Sequence, residues 1–415
     1  MSLSTSAPAK QNPFENERQK LQGNSSLLIE KSLESHLTQG YKPADLNGRL
    51  NSLDAFRGFT VASMILVNSP GDTGAVYSPL VHADWNGWTF ADTVFPFFLF
   101  IVGVSLAFSF AKQERKGTSN LALIMRILRR TVILFAIGVV LNAFEKFGSG
   151  LSDFRIPGVL QRIAICYCFA SLIVLTAGLR GRIMWLIGLL ASYWAMMLYI
   201  PVPGIGTGVL EPGRNFAAWV DSHVLNGHMW WYYDGQWDPE GIVSTIPAIA
   251  TTLFGLLTGK WLKTPVSDRT KVVGIALAGM ILVAVGQILS RWMPINKNLW
   301  TSTFSIFMAG LALLCLGFFY WLIEIADFSR WTKAFIILGV NPISMYVLSE
   351  VFDPIVWILN LSKSPGQEVH CQSHLFGYLH CVPPEMAALL HPIVLILFIQ
   401  LIAWVMWRKQ IFIRI

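Results

Sequence analysis

Ten apolar runs, each near the length that crosses a lipid bilayer, constrain this chain more than any other feature. They cover approximately residues 55–69, 91–111, 127–144, 157–177, 183–201, 242–262, 272–291, 301–323, 334–351 and 386–407. A bilayer core needs about 20 mostly apolar residues per helix. The runs lack the period-2 alternation of an outer-membrane barrel, so they read as helices. Composition agrees. Hydrophobic residues make up 54% of the chain and charged residues 13%, whereas a soluble domain needs about 25% charge to solvate its surface. A soluble enzyme, a disordered chain and a repeat solenoid are excluded. The expectation is an all-α, polytopic transmembrane helical bundle of about ten spans, with an eleventh possible in the apolar stretch 354–361.

Basic residues orient the bundle. Segments 1–57, 112–130, 178–182, 260–271, 324–333 and 408–415 hold 24 of the 31 Lys and Arg, and the opposite side holds seven. Both termini are therefore expected in the cytoplasm. The net charge of +7 is ordinary positive-inside bias and implies no nucleic-acid partner. Residues 1–50 are polar and lack the apolar core of a secretory signal. They read as a partly flexible cytoplasmic extension, with helical character around Leu27 to Leu37. Residues 51–415 form the membrane domain, with outer loops 70–90, 202–241 and 353–385. Cys371 and Cys381, ten apart in the last loop, could form a disulfide in an oxidising compartment. Metal-ligand spacing is not met, since His370, His374 and His380 are loosely spread.

Polar residues at membrane depth or at its outer mouth mark function. Asn68 ends the first span, His82 follows in a loop rich in Trp, Asn and Gly, and Asp92 opens the second span. Asp92 reads either as a helix cap favoured by the dipole or as the orienting partner of His82. Histidine suits proton or acyl transfer near neutral pH, and a carboxylate can hold one ring nitrogen protonated while the other acts. A second group is DFRIPGVLQR, where Arg155 and Arg162, seven apart, are expected on one helical face. Arg162 implies an anion, a carboxylate partner or a wet pocket. In WDPEG, Asp238 and Glu240 around Pro239 fit a helix N-terminus. The aromatic run before them suits an interfacial belt or a sugar platform. Trp85, Asn86, Arg155, Arg162, Asp238, Glu240, Asn298 of INKNLW and Asn341 of GVNPISMYVLSEVF are the candidate substrate-binding residues, with Asn341 near the cytoplasmic end of its span.

Together the blocks SLDAFRG, VN, HADWNGWTFADTVFPFFLFIVG, RIPGVLQR, DPEG, NKNLW and GVN…Y…EVF, in order from about residue 52 to 352, resemble the heparan-α-glucosaminide N-acetyltransferase family of transmembrane acetyltransferases. The large luminal domain of the lysosomal enzyme has no counterpart in residues 1–50, so the resemblance is to the bacterial type, in an inner (cytoplasmic) membrane. It implies an enzyme that carries an acetyl group from cytosolic acetyl-CoA to an amino sugar on the far side, without a metal. The family's active-site histidine falls on His82, and its asparagine and aspartate on Asn68 and Asp92. His82 would act as acyl acceptor or general base. The donor's phosphates would meet a basic inner mouth, with Arg126, Arg129 and Arg130 as candidates. A homodimer is compatible with this reading. Two rival functions stay open: a small-solute transporter, which fits the composition equally well, and an O-acyltransferase of a surface or cell-wall glycan, which shares the donor logic but uses a hydroxyl acceptor. The absence of an inverted repeat argues against the transporter.

Overall fold

The computed structural model describes residues 50–70, 76–145, 154–230, 233, 235–328, 330–360 and 384–413. The N-terminal extension, the Cys371 and Cys381 pair, and the three histidines beside it lie outside these residues. Twelve α-helices are described: α1 Asn51–Asn68, α2 Phe90–Arg115, α3 Asn120–Glu145, α4 Val159–Thr176, α5 Leu179–Tyr199, α6 Phe216–Val224, α7 Thr245–Leu262, α8 Asp268–Leu289, α9 Ser302–Tyr320, α10 Lys333–Val340, α11 Pro342–Asn360 and α12 Pro384–Arg408. The expected apolar runs all fold as helix, but 334–351 is split. Its halves, α10 and α11, meet at 85° around Asn341. Pro342 explains the break, because it cannot donate to the preceding turn and forces the residue before it out of the α region.

Six of the described helices are long and apolar enough to cross a membrane, and seven if the bent pair counts as one span. The expectation of ten reaches beyond that number for a physical reason. The other three candidate helices carry polar residues within their apolar runs. Helix α3 carries Arg126, Arg129 and Arg130, α1 carries Asp54 and Arg57, and α7 carries four threonines. The eleventh span is not a separate element, since residues 354–360 continue α11. Large apolar side chains on α5, α8 and α12, such as Met184, Ile187, Met280, Ile281, Leu397 and Leu401, are exposed and form a face suited to lipid.

Helix α7 lies against α2, α4 and α5 and forms the centre of the bundle. Its buried hydroxyls bond back to their own helix: Thr251 to the Pro247 carbonyl (3.3 Å), Thr252 to Ala248 (3.4 Å) and Thr258 to Phe254 (2.9 Å). None of these three hydroxyls is thereby stranded in the apolar interior. Small residues set the helix spacing. A Cβ on Gly255 would fall on the Phe100 carbonyl of α2, and one on Gly103 would fall on the Thr252 carbonyl of α7. With Gly259 four residues on, α7 presents the small-xxx-small stripe that lets membrane helices approach backbone to backbone. Gly58 and Gly339 do the same for α1 and α10. Replacing Gly255 with Ala should cost about 1–3 kcal/mol of overpacking and lower the melting temperature of the purified protein by several degrees. Unchanged melting would show that α2 and α7 can part without cost.

Candidate active site

Asp92 occupies the third position of α2 and does two things at once. Its Oδ2 accepts from the Thr89 backbone N–H (2.9 Å), completing a capping box with the Thr89 side chain, and from the Ala83 N–H (3.1 Å). This arrangement satisfies amides that helix formation leaves open and ties loop 81–89 to the helix end. Its Oδ1 remains available and accepts from His82 Nδ1 at 2.9 Å. The cap and the orienting partner are thus one residue using two oxygens. With the carboxylate as acceptor, Nδ1 is the donor nitrogen, and in the neutral tautomer Nε2 is the one that accepts.

A third group joins them from a distant loop. Lys297 Nζ lies 3.0 Å from His82 Nδ1, 3.1 Å from Nε2 and 3.6 Å from Asp92 Oδ1. Burial pulls the Lys297 ammonium below the usual lysine range, while Asp92 and Glu240 act in the opposite direction. The loop that carries it is tightly built. Asn296 accepts from the Leu299 N–H (2.9 Å) and donates to Asn86 Oδ1 (3.2 Å), and the Ile295 carbonyl accepts from the Gly87 N–H (2.7 Å). Trp300, at φ +50°, turns the chain into α9 and is enclosed between Phe95 and Phe304. A bulky residue in the left-handed region persists only where its surroundings over-determine it, as this packing does.

These groups open on a cavity of about 1100 Å³. One face of α2 lines it along nearly the whole helix, through Ala91, Val94, Phe98, Ile101, Ser105 and Gln113. The separation from Ala91 to Gln113 is about 33 Å at 1.5 Å per residue, comparable to the thickness of a bilayer core. One end holds His82, Asn68, Asp84, Lys297 and Asn298. The other holds Arg57, Gln113, Arg126 and Arg130; Phe98 and Ile101 of α2 with Leu160 and Ile163 of α4 form an apolar wall, and Glu350 and Asp353 of α11 also line the cavity. Arg126 donates to Gln113 (2.8 Å), Arg57 to Asp54 (2.7 Å) and Ser105 (2.8 Å), and Arg130 lies over the Tyr167 ring at 4.5 Å. The Nε of Arg130 is buried and has no hydrogen-bond partner among the described residues. Arg129 is exposed and lies off the cavity wall. The basic end is therefore made by Arg57, Arg126 and Arg130.

Beside His82, Arg155 and Glu240 line the cavity together with the rings of Trp230 and Tyr233. Arg155 grips Asp238 through two bonds, Nε to Oδ2 (2.8 Å) and Nη2 to Oδ1 (2.6 Å), and also holds Glu240. Burial works against its charge, but Glu240 and Asp238 more than offset this and hold the guanidinium firmly protonated. Behind this group Asp221 accepts from the Ile242 N–H (2.9 Å). Burial, reinforced by Asp238, pushes its carboxyl up to about 7, against the pull of that N–H and of Arg162.

Two local expectations are corrected here. Helix α4 begins at Val159, so Arg155 lies in the extended segment ahead of it and does not share a helical face with Arg162. Helix α7 begins at Thr245, so Asp238 and Glu240 cap nothing and serve Arg155 instead. Of the other candidate substrate residues, Asn298 lines the cavity. Trp85 donates to the Leu210 carbonyl (2.9 Å) and sets its ring edge against Trp237, and Asn86 holds Asn296. Arg162 is enclosed, bonds to the Gly241 carbonyl (3.1 Å) and Ser244, and lies over Trp300 at 5.1 Å. Asn341 pins the C-terminal segment, donating to Ile411 (2.9 Å) and accepting from Ile413 (3.0 Å). Lys297 and Arg57 are the residues that sequence reasoning passed over. Both stand inside quoted motif blocks, NKNLW and SLDAFRG, so a signal was present.

Residues 49–273 match the family model described as heparan-alpha-glucosaminide N-acetyltransferase, catalytic. The chain is 30% identical over 423 aligned residues to the human heparan-alpha-glucosaminide N-acetyltransferase and 29% identical over 427 to the mouse protein. In both cases the alignment covers 88% of this chain and 60% of the relative, so the chain spans about 60% of the length of the curated relatives it matches. The matched region contains Asn68, His82, Asp92 and the Arg155 group. With a matched model over more than half its length, the chain is an integral membrane protein that belongs to the heparan-alpha-glucosaminide N-acetyltransferase family.

Proposed function

We propose that this chain transfers an acetyl group from acetyl-CoA to the amine of a glucosamine-type sugar, with the two substrates entering its cavity from opposite ends. The observation that carries this reading is the cavity itself: arginines at one end, an apolar wall from α2 and α4, and the His82, Asp92 and Lys297 group at the other. Acetyl-CoA has the same order of parts. Its phosphates meet Arg57, Arg126 and Arg130, its thin pantetheine arm lies along the apolar wall, and its thioester reaches His82. The positive-inside count supports an arginine end in the cytoplasm, where the donor is made, and both termini on that side.

His82 is the general base. The acceptor amine, having lost the extra proton of its ammonium form to solvent, attacks the thioester carbonyl; Nε2 takes the proton that the nitrogen sheds on attack, the C–S bond breaks, and that proton passes on to the departing sulfur. Asp92 holds the ring and stabilises it while charged. Lys297 Nζ, 3.0 Å from Nδ1 and 3.1 Å from Nε2, lies over the face of the His82 ring, on the approach that the sugar amine would use. The arriving amine displaces it, and Lys297, with the Asn68 amide, then faces the oxyanion that forms on the carbonyl oxygen.

Sealed vesicles with one orientation test the proposal. Acetyl-CoA should react only from the side bearing the arginines, and acetylated amino sugar should appear only on the other. Exchanging Arg126 and Arg130 together for Gln should raise the KM for acetyl-CoA about tenfold with little change in kcat, the signature of lost uniform binding. Acetyl transfer with donor and acceptor on the same side would overturn the transmembrane reading. A burst of free CoA before any acceptor is added would replace the direct transfer with an acetyl-histidine intermediate.

A further inference from the structure

Arg162 stands one turn into α4 and is 1% exposed. Its hydrogen bonds go to the Gly241 carbonyl (3.1 Å) and the Ser244 hydroxyl, not to a carboxylate, and its Nε and Nη1 have no partner among the described residues. An arginine inside a membrane span is costly, and more so without a countercharge in contact. Contact with substrate does not explain it, because the side chain is shut off from the cavity.

Arg162 reaches the closing residue of two turns. In the first, the Gly241 N–H donates to the Asp238 carbonyl (3.0 Å), and Arg162 holds the Gly241 carbonyl. In the second, the Trp300 N–H donates to the Lys297 carbonyl (3.0 Å), and Arg162 lies over the Trp300 ring at 5.1 Å. Each turn opens on a residue of the His82 end: Asp238, which grips Arg155, and Lys297, which meets the His82 ring. Both anchors are firm. A Cβ on Gly241 would fall on the Asp221 carboxylate. Trp300, at φ +50°, donates from its indole to Thr251 (3.3 Å), and the Leu299 carbonyl beside it accepts from Tyr193 (2.6 Å). One guanidinium thus spans the two turns, with an edge donor for one and a flat face for the other.

We propose that Arg162 is a positioning residue for acetyl transfer: from outside the cavity it fixes Lys297, over the His82 ring, relative to the Arg155 and Glu240 group. It touches neither substrate. The inference rests on the acetyl-transfer reading above and adds to it the residue that holds the two halves of the His82 end in register. Lysine at this position would keep the charge but could not both donate to Gly241 and present a planar face to Trp300. A misplacement of about 1 Å in a reacting group can cost about 10²-fold in rate.

The test is Arg162→Lys in the full-length protein in detergent, with acetyl-CoA and glucosamine as substrates. The kcat should fall by about 10- to 100-fold and the KM for glucosamine should rise, while the KM for acetyl-CoA stays unchanged. Burial, opposed by Asp92 and Glu240, lowers the Lys297 ammonium, so a Lys297 freed from its place should move the alkaline limb of the pH profile to higher pH. A merely structural arginine would lower the melting temperature and the active fraction with both KM values and the limb unchanged, and that result overturns the proposal. In a protein that already carries Lys297→Met, Arg162→Lys should lower kcat by less than about twofold more, because residues that act through one another are not additive. A full additional loss overturns the proposal. Where Arg162→Lys does not fold, Trp300→Phe carries the test: it keeps a ring over the guanidinium but narrows its face, and the same split between the two KM values is expected. Absence of that split overturns the proposal and leaves acetyl transfer standing. No acetylation of glucosamine by the unaltered protein overturns the acetyl-transfer reading, and this inference with it.

Discussion

Alanine in place of His82 is expected to lower acetyl transfer by about 10²–10⁴-fold, the range for removal of a positioned general base, with the protein still folded. The His82 side chain is 46% exposed, so its removal leaves no buried cavity and little packing is lost. Asp92 would keep its cap on α2, because the bonds from Thr89 and Ala83 use the other carboxylate oxygen. Turnover and melting temperature of the same purified sample decide the matter. Turnover near that of the unaltered protein would remove His82 from the chemistry. A large fall in melting temperature would show that the ring holds the loop rather than the substrate.

The second large effect concerns Lys297. Exchanging it for Met keeps the length and apolar stem but removes the charge beside His82. The loss of one donor to a forming oxyanion is expected to cost about 10²–10³ in kcat, with the KM for acetyl-CoA nearly unchanged because the arginine end is untouched. Lys297→Arg should recover part of the rate. The pH profile separates this role from a merely structural one. Burial lowers the Lys297 ammonium from the ordinary lysine range, opposed by Asp92 and Glu240. Its charge is therefore present below the lowered value and lost as pH rises through it, so activity should fall on the alkaline side earlier than an ordinary lysine would allow. Arginine stays charged throughout, so the Arg variant should carry its activity further into the alkaline range. Equal alkaline limbs in the two proteins would assign Lys297 to loop structure alone.

What could be read along the chain follows from distance in sequence. Apolar runs of bilayer length dictate helices whatever their neighbours are, because backbone groups in lipid must be satisfied within the segment. The pairing of His82 with Asp92 was likewise legible, since ten residues separate them and a Thr89-to-Asp92 capping box ties the loop that carries His82 to the helix that carries Asp92. Charge asymmetry is a sum over loops and needs no contacts.

Tertiary structure decided the rest, and in each case the deciding term was a contact made across the fold. Lys297 is 215 residues from His82; in sequence it is one basic residue among seven on its side, and only the docking of loop 294–301 on loop 82–89 brings it to the ring. Arg155 and Arg162 looked alike by spacing, but α4 begins between them, so one reaches Asp238 and Glu240 while the other is enclosed under Trp300. Arg129 and Arg130 are neighbours in the chain, yet successive residues on a helix point about 100° apart, so only Arg130 faces the cavity. The polar residues of α1 and α7, Asp54 and the four threonines, are buried for the same reason: they face a shared interior. Periodicity and charge count depend on a segment alone and so survive in the sequence, whereas which of two similar residues reaches the site depends on how helices pack, and that is set by close approaches such as Gly255 against Phe100.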